Sequence, residues 1–110
     1  MSRSELQELL YQADQTIVQG NIRLAADLIH SITSTSLSRK DILSLARLYR
    51  RIGNVDQSLK LLTPYIRPKM GLQTYPTDEE KAEYAICLQR IGSLEEATNL
   101  LSEVSIEKAP

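Results

Sequence analysis

Phenylalanine and tryptophan are absent from this 110-residue chain, and five tyrosines are its only large aromatic residues. Leu, Ile, Ala and Tyr must therefore fill any core. That favours helix packing over a β-sandwich, which draws on aromatic and β-branched residues. A single cysteine excludes an internal disulfide and agrees with a reducing compartment. A single histidine, His30, excludes a histidine pair for metal binding or proton relay. No apolar run approaches membrane-spanning length. The start, Met1-Ser2-Arg3-Ser4-Glu5, leads into a charged amphipathic pattern without the apolar stretch of a secretory signal. A cytoplasmic protein without a cofactor and without a membrane partner is the expectation. Neither a glycine-rich phosphate loop nor zinc-ligand spacing occurs. The net charge of −1 provides no global field toward nucleic acid. The length, with 42% apolar and 25% charged residues, suits one soluble domain, residues 1–110, that needs no metal or disulfide staple.

There are only four glycines, and three of them open the same phrase. Gly20 is followed by Ala25, Ile29 and Ile32; Gly53 by Ser58, Leu62 and Tyr65; Gly92 by Ala97, Leu101 and Val104. A glycine, a small residue five positions on, then large apolar residues at nine and twelve describe a helix hairpin. The glycine ends one helix, and the small residue lets the next pack closely. The spacings of 33 and 39 residues lie within the range of stacked helical repeats.

Cap signals delimit six helices. Ser2 with Glu5 opens the first, which carries Leu6, Leu9, Leu10, Ala13, Ile17 and Val18 and stops at Gly20. The second follows Asn21, with Ile22, Ala25, Leu28, Ile29 and Ile32 on one side, and is broken by the Ser/Thr run 31–38. Ser38 with Asp41 opens the third, Asn54 with Gln57 the fourth, Thr77 with Glu80 the fifth, and Ser93 with Glu96 the sixth. The expected repeats span approximately residues 3–35, 38–66 and 77–106. The long connection Arg67–Pro76 reads either as a surface insertion or as a flap over a binding face.

These residues resemble the tetratricopeptide repeat, a helix–turn–helix unit of about 34 residues. Ala46, Tyr49, Gly53, Ser58 and Leu62 fall at the family's small, Tyr, Gly, small and large apolar positions. Ala85, Gly92, Ala97 and Leu101 do so in the third unit, with Leu88 in place of Tyr. Ala13, Gly20, Ala25 and Ile29 do so in the first, with Thr16 in place of Tyr. The family's early Trp and closing Pro are missing. The resemblance implies an all-α superhelix of three hairpins and a protein-interaction adaptor. The first helix of each pair would line a concave groove that reads an extended or helical peptide. Carried over, the groove positions are Gln7, Leu10 and Asp14; Lys40, Leu43, Arg47 and Arg50; and Glu79, Ala82, Ile86 and Gln89. Leu10, Asp14, Glu79 and Glu83 stand where a carboxylate-clamp member needs Lys, Asn and further basic residues, which argues against that subtype.

Charge is segregated along the chain. Residues 39–69 hold eight Lys or Arg against two acids, and residues 78–107 hold the reverse. Lys40, Arg47 and Arg50 lie on one side of the third helix at helical steps, suited to an acidic or phosphorylated peptide. Leu10, Leu43 and Ile86 would add apolar contact. Alternatively, the basic strip pairs with Glu79, Glu80 and Glu83 of the fifth helix, each exposed pair contributing ~0–1 kcal/mol. A helix-turn-helix DNA reader is disfavoured, because its second helix, Val55–Tyr65, would offer the groove mainly Leu and one Lys60. Catalysis is disfavoured too. Cys87 reads as a small buried thiol, His30 as a surface or half-buried helix residue, and Asp78-Glu79-Glu80 as acids at a helix N-terminus. The sixth helix presents Leu94 and Leu100 beyond what packing on the fifth requires. That is a candidate assembly surface for a second copy or another protein.

Overall fold

The structure, a computed structural model, describes residues 2–32, 37–67 and 75–104. All regular structure among them is helical: α1 (Arg3–Val18), α2 (Ile22–His30), α3 (Arg39–Arg51), α4 (Val55–Ile66), α5 (Asp78–Arg90) and α6 (Leu94–Ser102). The chain is all-α, as its composition and periodicity require. Most of the connection Arg67–Pro76 lies outside the described residues, as does the chain beyond Val104. No described helix is long and apolar enough to cross a membrane.

The three glycines close their helices in one way. Each has a positive φ, between 83° and 91°, a region that L-residues enter at a cost and glycine enters freely. Gly20, Gly53 and Gly92 donate their N–H to the carbonyls of Ile17, Arg50 and Gln89. The following residues Asn21, Asn54 and Ser93 donate to Thr16, Tyr49 and Leu88. These paired bonds form a Schellman motif, which satisfies carbonyls that a helix end leaves open. The acceptors Thr16, Tyr49 and Leu88 occupy the position where the repeat phrase varies most. The motif uses their backbone oxygens, so their side chains are free to differ.

Caps separate into two groups by backbone geometry. Ser2, Ser38 and Thr77 are extended, with ψ near 160°, and their hydroxyls accept from Glu5, Asp41 and Glu80 N–H. Thr77 and Glu80 complete a reciprocal capping box. Asn21 and Ser93 instead follow a glycine turn directly and hold ψ of 75° and 64°. The longer Asn21 carboxamide still reaches Leu24 N–H at 3.3 Å, whereas Ser93 makes no side-chain cap bond. The expected Ser93–Glu96 cap is therefore not formed; the Glu96 carboxylate pairs with Arg67. Thr77→Ala is expected to destabilise the protein by ~1 kcal/mol, whereas Ser93→Ala should cost no more than a few tenths. Parallel urea titrations measure the difference.

Two compact units are present, residues 1–54 and 55–110, the boundary falling within the second expected repeat. In the first, α1 packs on α2 and α3 packs on both. Its centre holds Ala13, Ala25, Ile29, Leu45 and Ala46, all essentially inaccessible to solvent. In the second unit α5 packs against α4 and α6, around Ser58, Leu62, Ala85, Cys87 and Ala97. Small residues sit at the crossings, which lets helix axes approach closely. Ser58 contacts α5, its hydroxyl accepting from the Cys87 thiol at 3.2 Å. Next to it the Thr63 and Tyr84 hydroxyls are bonded at 3.0 Å. Ile22, expected on the packed side of α2, is 41% exposed, because it occupies the first helical position, where the chain has only just left the turn.

Candidate functional site

Within the first unit, α1 and α3 lie side by side and leave a cleft of about 320 Å³ between them. Helical spacing brings Gln7, Leu10, Tyr11 and Asp14 to it from α1, and Ser44, Arg47, Leu48 and Arg51 from α3. Leu48 is buried and Leu10 half-buried, so the floor is apolar, while Gln7, Tyr11 and Arg47 are exposed at the rim. The Asp14 carboxylate accepts from the Arg51 guanidinium across the cleft. With Arg47 added, the lining carries two guanidinium groups and one carboxylate. It is a shallow, locally positive trough around an aliphatic floor.

One end of the cleft is tied down by Asp41, a buried carboxylate in the first turn of α3. It accepts from the Ser38 hydroxyl at 3.0 Å, from Gln7 Nε2 at 3.5 Å and from Arg3 Nη1 at 3.5 Å. Arg3 is largely exposed, so this ion pair contributes at most ~1 kcal/mol. The contacts set the register of α1 along α3. Elsewhere on α3, burial raises the Tyr49 hydroxyl above its ordinary pKa of 10.0. Its ring lies 5.6 Å from that of the exposed His30.

Gln7, Leu10, Asp14 and Arg47, four residues expected in a groove, thus meet at one cleft. The other members of the basic strip stand elsewhere on α3. Lys40 is exposed in the first turn, Leu43 is 8% exposed and Arg50 is half-buried, and none of the three lines the cleft. The lining face of α3 runs through 44, 47, 48 and 51, turned by roughly 70° from the strip 40, 43, 47 and 50, with which it shares Arg47. In the second unit Glu79 and Gln89 are exposed and Ala82 and Ile86 half-buried, so this α5 strip is one accessible face. Glu80 and Glu83 lie on its buried side. On α6, Leu94 is 62% exposed and Leu100 half-buried.

Sequence reasoning missed Tyr11, Ser44, Leu48 and Arg51. Arg51 follows Arg47 by four residues, so spacing alone could have placed it on the same face. Tyr11, beside Leu10, offered the signal of a large aromatic on an otherwise polar ridge. Cys87 is fully buried, as a small apolar thiol should be. Among the described residues no group of three His, Cys, Asp or Glu converges in a metal-binding cluster. No protein-family model matches this sequence, and no curated protein or solved structure matches it.

Proposed function

We propose that this chain is a protein-interaction adaptor of the tetratricopeptide-repeat type, binding a peptide or helix of another protein and catalysing no reaction. The observation that supports this reading is the α1–α3 cleft, where the expected groove residues Leu10, Asp14 and Arg47 converge with Arg51 and Tyr11. The arrangement suits a partner segment that carries a carboxylate next to an apolar side chain. Arg47 and Arg51 would receive the carboxylate, since guanidinium groups bind it through paired N–H donors. Leu10 and Leu48 would take the apolar side chain, with Tyr11 covering it.

Affinity capture from lysate with the tagged 110-residue chain tests this. Arg47→Glu combined with Arg51→Glu should reduce the recovered partner at least tenfold, and wild-type capture should fall as salt rises. Undiminished capture by the charge-reversed protein would remove the cleft reading.

A second reading rests on α6. Leu94 and Leu101 are exposed there beside Glu95 and Glu103, and burial of one such leucine is worth roughly 1.5–3 kcal/mol. Docking through this end, as a subunit or chaperone-like module, predicts that Leu94→Ser with Leu101→Ser abolishes capture while the α3 charge reversal does not.

A further inference from the structure

Two carboxylates join α1 to α3, and they are held very differently. Asp41 is buried and accepts from Ser38, Gln7 and Arg3. Asp14 accepts only from Arg51 among the described residues. The side chains of this second pair remain open to water, 44% exposed at Asp14 and 30% at Arg51. Both residues line the α1–α3 cleft. An ion pair this exposed contributes little to stability, so its partners can be exchanged at low cost. Asp41 fixes the register of the two helices, whereas Asp14 holds no more than one guanidinium.

That guanidinium is one of the two that an acidic partner would meet. A carboxylate entering the cleft can bond Arg51 only by taking the place of Asp14. The exchange is like for like, because one guanidinium–carboxylate bond breaks as another forms, so Arg51 adds little net affinity. Asp14 also offsets half of the positive charge that Arg47 and Arg51 bring to the lining. Net binding then depends on what Asp14 leaves untouched, the Arg47 guanidinium and the apolar floor of Leu10 and Leu48. An acid without an apolar neighbour gains little from such a cleft. On the peptide-site reading of this cleft, we infer that Asp14 is an internal competitor. It is a specificity-determining residue that seats its own carboxylate on Arg51 and so selects acidic segments with an adjacent apolar side chain.

NMR titration of the 110-residue chain with capped tripeptides measures the competition. The probes are acetyl-Leu-Asp-Leu-amide, its uncharged analogue acetyl-Leu-Asn-Leu-amide, and acetyl-Gly-Asp-Gly-amide, which has the acid alone. Wild type is expected to prefer the first over both others. Asp14→Asn, close in shape and without the charge, should tighten Leu-Asp-Leu by about threefold and leave Leu-Asn-Leu unchanged. A merely structural change would move both peptides together. In an Arg51→Gln background the gain should disappear, since Asp14 then has no bond to give up. Asp14 is exposed, so the variant should keep the wild-type helical circular dichroism, and Asp14→Ala should shift binding in the same direction. If wild type prefers Leu-Asp-Leu but Asp14→Asn fails to tighten it, the inference is overturned and the peptide site stands. A gain undiminished without Arg51, or wild-type binding of Gly-Asp-Gly as tight as Leu-Asp-Leu, also overturns it. No preference for Leu-Asp-Leu over Leu-Asn-Leu in either protein overturns the inference and the peptide site together.

Discussion

Replacing Ile29 by alanine is expected to lower unfolding stability by about 2–5 kcal/mol, and Leu62→Ala by a similar amount, whereas Leu101→Ala should cost less than about 1 kcal/mol. All three residues stand nine positions after a glycine of the repeated phrase, so sequence treats them as equivalents. The structure does not. Ile29 and Leu62 are fully buried, and Leu101 is 37% exposed on α6. Removing a fully buried side chain loses its transfer free energy and leaves a cavity that surrounding helices only partly fill. Removing an exposed one vacates space that water already shares. Such a loss is a large part of the ~5–15 kcal/mol that a domain has in total, so the first two variants should show strongly reduced urea midpoints. Equal losses at all three positions would contradict the burial described for α6.

Enlarging the small residues five positions after the glycines should destabilise the chain in a complementary way. Ala25 on α2 and Ala97 on α6 expose nothing to solvent. Each belongs to a helix that packs along its predecessor, α1 or α5. A leucine at either site must push the helices apart or adopt a strained rotamer, at a cost of about 1–3 kcal/mol. The expected order is distinctive: Ala97→Leu, which only adds atoms, should be harmful, while Leu101→Ala, which deletes them one helical turn away, should be mild. Urea titrations of the two variants at matched m-values test it. A neutral Ala97→Leu would mean that α6 is loosely held on α5.

Local structure was legible because its causes are local. A Schellman turn is closed by bonds spanning six residues, so Gly20, Gly53 and Gly92 could be recognised without knowing what surrounds them. The Ser2, Ser38 and Thr77 caps span four residues and were equally visible. The Ser93 cap failed because its geometry is inherited from the Gly92 turn immediately before it. That turn leaves ψ at 64°, out of reach for a short hydroxyl.

The candidate site was legible only in part. Helical spacing allows both the strip 40, 43, 47, 50 and the strip 44, 47, 48, 51 on α3, and only the direction from which α1 packs decides between them. Arg47 belongs to both; Ser44, Leu48 and Arg51 belong only to the second, which the sequence did not single out. Asp41 was read as a cap residue, yet it also receives Gln7 and Arg3 from α1, a contact across more than thirty residues that no local pattern encodes.

Sequence by itself therefore determined the helices, their ends and the small residues at their crossings, because each depends on bonds and contacts within one or two turns. The tertiary structure alone decided which copies of the repeated phrase are buried, which face of α3 meets α1, and which apolar side chains remain on the surface of α1, α2 and α6. Burial depends on what a distant part of the chain brings to the same place, and two helices with the same local pattern can differ in that completely.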